Sequence, residues 1–157
     1  MAVARYRIED EPRPGAMAQL AVNPLWPLLS VMLGGFLIGV TWFVINGIAV
    51  GSPTRNREIV AAVAGLAGAL AIAVTLALAV GAGWLPGAAA QYALLPLLLW
   101  KLGTAYLLYE WQSRTIQIHE HYGGVLRNGL PLVIVAALVR KPLLLASPSV
   151  LWRLVAG

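Results

Sequence analysis

The sequence predicts an all-α, integral membrane helical bundle: three full transmembrane helices plus a C-terminal short hairpin or broken fourth helix. Three observations carry that expectation. Of 157 residues, 60% are hydrophobic and 11% charged, with a mean hydropathy of +0.80, whereas an ordinary soluble domain carries about 25% charged residues. No charged residue falls between Arg13 and Arg55, or between Glu58 and Lys101; a crossing needs about 20 apolar residues to span ~30 Å of hydrocarbon. The basic residues stand in ones and twos between apolar segments, the pattern of membrane flanks rather than of nucleic-acid binding, so no nucleic-acid partner is expected. A soluble domain of this size would expose a large apolar area and is predicted against.

The elements follow in order. Residues 1–23 read as a polar N-terminal tail, mixed in charge and punctuated by Pro12, Pro14 and Gly15, unlike a cleaved signal. Residues 24–157 read as a single transmembrane domain. Its first span, about 26–50, starts at Asn23, Pro24 and Pro27 and ends at Gly51-Ser52-Pro53. Gly51 suits the left-handed position after a helix, and Ser52 and Pro53 suit the start of the next. The second span, about 59–80, is nearly all Ala, Gly, Leu, Val and Ile, and an uncharged connection at Gly81, Gly83, Pro86 and Gly87 follows. The third, about 89–109, has Pro96 inside it, where a proline tends to kink a helix. It is expected to run on through the polar segment 110–128 to about Tyr122, stopped by Gly123-Gly124, with Glu110 and Arg114 paired at i, i+4. The last region, 129–151, is apolar but broken at 140–142 by Arg140-Lys141-Pro142.

Basic residues in short loops set orientation. They put the Arg55 loop and the 110–128 segment in the cytoplasm of a multi-pass protein of the bacterial inner membrane. Trp26, Trp84 and Trp111 fall near the span ends, as interfacial anchors do.

Helices in lipid associate by close backbone approach. Gly35 with Gly39 and Gly47 with Gly51 give the first span two GxxxG patterns, and Ala61, Gly65, Gly68 and Ala69 give the second span small stripes. The two seams are expected to face each other. Lys101 is the most unusual residue, a cation well inside the third span; Asn46, Thr41 and Thr104 are its nearest candidate polar partners. The alternative is that Lys101 snorkels to the surface. His119 and His121 invite a metal reading, but residues two apart on a helix point some 200° from each other, so no metal and no other cofactor is expected. The chain has no cysteine. No catalytic motif is present, and no enzymatic activity is predicted.

Leu33-Gly34-Gly35, Gly39, Asn46, Gly51, Pro53 and Arg57, with His119-x-x-x-Gly123-Gly124 later, resemble a group of small uncharacterised bacterial polytopic membrane proteins. The resemblance covers about residues 23–140 and implies no activity. Two functions follow as expectations. One is a non-catalytic accessory or scaffold subunit of a larger membrane complex, with the lipid bilayer and protein subunits or a second copy as partners. The alternative is a small homo-oligomeric transporter or channel using Lys101 and Asn46.

Overall fold

A computed structural model describes residues 17–85 and 92–157. A short 3-10 turn, Ala18–Leu20, precedes six α-helices: α1 Leu25–Leu33, α2 Phe36–Val50, α3 Arg55–Gly81, α4 Leu95–His121, α5 Leu130–Leu145 and α6 Val150–Ala156. Tail residues 1–16 and connection residues 86–91, with Pro86 and Gly87, lie outside the described residues.

The expected first span is two helices. The chain turns at Gly34-Gly35, where Gly35 has φ 105° and ψ 162°, backbone that only glycine adopts without strain. α2 then folds back against α1, and a Cβ on Gly39 would overlap the Val31 backbone. The nine residues of α1 and fifteen of α2 make lengths of about 14 and 22 Å at 1.5 Å per residue, short of the ~30 Å that a crossing needs. The turn into α3 forms at the predicted place. Gly51 sits at φ 71°, and its N–H bonds back to Gly47 and Ile48 carbonyls.

α3 runs antiparallel along α4. Gly65 receives Thr104, and Gly68 receives the Trp100 indole, whose Nε1 donates to the Gly65 carbonyl at 2.9 Å. The α3 stripe of Gly65 and Gly68 therefore packs on α4, not on the first predicted span. Ala61 packs at the edge of the shared core, and Ala69 is fully buried in it. That core joins Val31 of α1, Phe36, Val40 and Phe43 of α2, Ala62 and Ala73 of α3, and Leu97, Ala105 and Leu108 of α4. Small residues on α3 against large ones on α2 and α4 bring the three helices into contact. Other apolar side chains lie outward, among them Val63, Leu78, Leu99 and Leu138.

Three further expectations are corrected. Pro96 lies in the first turn of α4, where it costs no ladder bond, so it does not kink the helix. α5 continues through Arg140-Lys141-Pro142, and the break falls after it, before α6. Glu110 acts on Tyr106, whose hydroxyl it pushes above the usual range, and none of the side-chain hydrogen bonds among the described residues joins it to Arg114.

Among the described helices, one, α3, is long and apolar enough to cross a membrane, and α2 is apolar but short. α4 is as long as α3, but its polar second half keeps it out of that class. Three transmembrane helices with a C-terminal hairpin are therefore not what this chain forms. Its described residues form six α-helices packed on one another around a core and a buried polar network. The multi-pass inner-membrane placement, the cytoplasmic assignment of the Arg55 loop and the 110–128 segment, and the bilayer and membrane-complex partners lose their basis with it. So do both expected functions, the membrane-complex subunit and the oligomeric transporter or channel.

Candidate functional site: a buried polar network behind an arginine-lined groove

α2, the α2–α3 turn, the first turn of α3 and the middle of α4 bring six polar side chains together. Glu58, in the first turn of α3, is 1% exposed. Its Oε1 accepts from Ser52 Oγ at 2.5 Å and from Thr54 Oγ1 at 2.8 Å. Its Oε2 accepts from Gln112 Nε2 at 2.8 Å. Gln112 also donates to the Phe43 carbonyl at 2.6 Å and accepts from Asn46 Nδ2 at 3.0 Å. Asn46 pairs both ways with the Val22 backbone, accepting from its N–H at 2.9 Å and donating to its carbonyl at 3.1 Å. Thr115 Oγ1 lies 3.5 Å from Ser52 Oγ. The network ties the incoming chain, α2, the turn, α3 and α4 into one unit. Val22, which the sequence places in the tail, is buried, as is Ala21.

Local sequence explains the placement. Gln112 and Thr115 are three apart on α4 and share a face. Gly47 clears the approach, since a Cβ there would overlap Glu58 Oε2. Left unpaired, a buried carboxyl group costs several kcal/mol, and here three neutral donors meet it.

A groove of about 350 Å³ lies in front of this network, lined by Thr54, Arg57, Trp111, Arg114 and Thr115 among others. A second, open and largely apolar hollow of about 460 Å³ is lined by Asn56, Val60 and Ala61. Arg57 and Trp111 line both. Arg57 and Arg114 are exposed, and none of the side-chain hydrogen bonds among the described residues uses either guanidinium. The Thr54 hydroxyl is held from behind by Glu58 at 2.8 Å and the Thr115 hydroxyl lies 3.5 Å from Ser52, so the groove presents two polar oxygens, two exposed cations and the Trp111 side chain.

The residues singled out from sequence are not gathered at one place. Asn46 and Gly47 belong to the network. Lys101 is 7% exposed and far from them in contacts: its Nζ donates to the Leu154 carbonyl at 2.5 Å and sits 5.6 Å from the Phe36 ring centroid. It holds α6 against α2 and α4 and does not snorkel. Burial and the nearby Arg140 lower its pKa from 10.5 to about 8. Thr41 is exposed, and Thr104 donates to the Trp100 carbonyl at 2.9 Å; neither partners Lys101. His119 is 7% exposed, and its ring lies where a Cβ on Gly124 would be, which accounts for a glycine five residues on. Gly123 has φ 81° and ends α4. His121 is exposed and stacks edge-on against Tyr122 at 5.6 Å. Among the described residues, no group of three His, Asp or Glu side chains is placed to hold a metal.

Sequence reading missed Glu58, Ser52 and Gln112, and the groove residues Arg57, Trp111 and Arg114. One signal was available: Glu58 is the single acid between Glu11 and Glu110. Its partner Gln112 is 54 positions away, a separation that no local pattern encodes.

No family model matches the chain, no curated protein matches it, and no solved structure matches it. With one candidate span in place of several, the resemblance to small bacterial polytopic membrane proteins is withdrawn.

Proposed function

We propose that this chain is a non-catalytic binding module whose small ligand sits in the groove between the first turn of α3 and the middle of α4. One observation carries the reading: a concave site of about 350 Å³ whose polar floor, Thr54 and Thr115, is fixed by a buried network. Such pre-formed concavities with a few convergent polar groups are where small ligands bind. The non-catalytic part rests on the state of Glu58. Thr54 and Ser52 both pair their hydroxyls with the Glu58 carboxyl beside the groove. That carboxyl already accepts from Ser52 and Gln112 and is 1% exposed. A group so satisfied serves as a structural acceptor rather than as a base within reach of a substrate.

The test is a ligand screen read at residue level. Charged and neutral small molecules are titrated while amide hydrogen exchange is followed along the chain. The expected result is protection confined to residues 53–61 and 111–118. Ligands that bind but protect none of these segments refute the groove, and mass-spectrometric detection of a converted ligand refutes the non-catalytic reading.

A further inference from the structure

The geometry points to a specific ligand class for this groove: a flat aromatic acid of one or two rings, its anionic head between Arg57 and Arg114 and its ring over Trp111 towards Val60 and Ala61. The inference rests on the binding reading above and adds the ligand's charge and shape.

Charge is the first argument. Arg57 and Arg114 approach the groove from different helices, and both are exposed. Glu58, next to Arg57 in the chain, is 1% exposed behind Ser52 and Thr54 and spends its oxygens on those donors and on Gln112; Glu110 stands one turn before Arg114 on α4, and no side-chain hydrogen bond among the described residues joins the two. The groove therefore faces its ligand as a cationic site. Guanidinium groups bind carboxylate, sulfonate and phosphate heads through paired N–H donors. The Thr54 proton is already given to Glu58, so of the two hydroxyls it is Thr115, whose own contacts lie at 3.5 Å, that can turn its proton towards the same head.

Shape is the second argument and is independent of charge. The groove is continued past Arg57 and Trp111 by the hollow at Asn56, Val60 and Ala61. One compartment carries the threonines and Arg114; the other is nearly all apolar. An ion without an apolar body would leave the second compartment empty. A flat ring fills it and meets the indole face of Trp111 and the guanidinium plane of Arg57, both of which favour stacking. On α4, Trp111 and Arg114 are three apart, about 4.5 Å along the axis, which matches an acid group attached directly to a ring.

The test uses 2-naphthalenesulfonate, its neutral analogue 2-naphthalenesulfonamide, and inorganic sulfate, titrated by calorimetry into the full chain. Proteins are the wild type, Arg57→Gln, Arg114→Gln and Trp111→Leu, each checked for native helicity first. We expect the sulfonate to bind wild type at least tenfold more tightly than the sulfonamide. Each arginine variant should lose about tenfold for the sulfonate, the ratio for ~1.4 kcal/mol; Arg114→Gln should leave the sulfonamide unchanged, and Arg57→Gln, which also removes a stacking plane, should weaken the sulfonamide less than the sulfonate. Trp111→Leu should weaken the sulfonate and leave sulfate as it was. Equal binding of sulfonate and sulfonamide, with protection still at the groove, overturns the ligand class and leaves the binding module standing. Sulfonate binding that no variant alters shows attachment to outward apolar side chains and overturns the inference. No binding by any of the three overturns the inference, and the binding module stands or falls with the hydrogen-exchange screen.

Discussion

Replacing Gln112 by methionine removes the branching point of the polar network while keeping most of the side chain's length and apolar stem. Methionine offers no donor and only a weak acceptor. Three contacts go: the 2.8 Å bond to Glu58 Oε2, the 2.6 Å bond to the Phe43 carbonyl and the 3.0 Å bond from Asn46. They differ in weight. Asn46 Nδ2 keeps the Val22 carbonyl, and the Phe43 carbonyl lies inside α2, where the helix ladder serves it. Glu58 Oε2 has no second partner among the hydrogen bonds of the described residues. Depriving a buried acidic acceptor of its donor costs about 2–3 kcal/mol, and the other two losses add about 1 kcal/mol. The expected destabilisation is therefore roughly 3–4 kcal/mol, a large share of the ~5–15 kcal/mol that holds a typical domain. Urea unfolding followed by far-ultraviolet circular dichroism measures it, with Glu58→Gln and the double variant completing a cycle. Residues in direct contact should show a coupling of about 1.5–2.5 kcal/mol. A loss below ~0.5 kcal/mol with an unchanged denaturant slope, or strict additivity in the cycle, would refute the claim that Gln112 and Glu58 support each other.

Two glycines separate packing from propensity. Gly68→Leu should destabilise by about 2–3 kcal/mol, because the new side chain meets the Trp100 ring. Gly103→Ala, at a helical position with nothing near its Cβ, should stabilise by ~0.5–1 kcal/mol; thermal melts of the two variants that ranked the other way would show α3 and α4 to be packed differently. Lys101 sets a pH dependence. Its folded pKa of about 8, lowered by burial and then by Arg140, lies below the ordinary 10.5, so between these values the unfolded chain holds the proton that the folded chain has released. Stability should climb as pH rises through that window. The climb should be absent from Lys101→Met, and melting temperatures of the two proteins running parallel from pH 8 to 10.5 would show that Lys101 is not desolvated.

What could be read from the sequence is local. The helical character of the chain, the turn at Gly51 and the stop at Gly123 depend on backbone preferences of a few adjacent residues, and positive φ at both glycines follows from them. The break at Gly34-Gly35 was equally local, but a glycine pair also suits a close helix seam, and periodicity does not distinguish the two. Composition carried still less direction. α3 is apolar over most of its length, so its pattern does not say which face meets a neighbour: Gly65 and Gly68 meet α4, while Ala62, Ala69 and Ala73 share the core with α2.

The packing of the helices on one another, the partner of Lys101 and the groove were decided by tertiary structure. Each depends on residues far apart in the chain: Glu58 with Gln112, Lys101 with Leu154, Val22 with Asn46. A polar side chain in an apolar run reads from sequence as exposed, functional or misplaced. Its actual state is set by whether folding brings a donor or acceptor within 3 Å of it, because a satisfied buried polar group costs little and an unsatisfied one costs several kcal/mol. The sequence by itself therefore determined that this chain is helical and where several helices end. Only the packed helices determined which polar groups meet, and so where a ligand could be held.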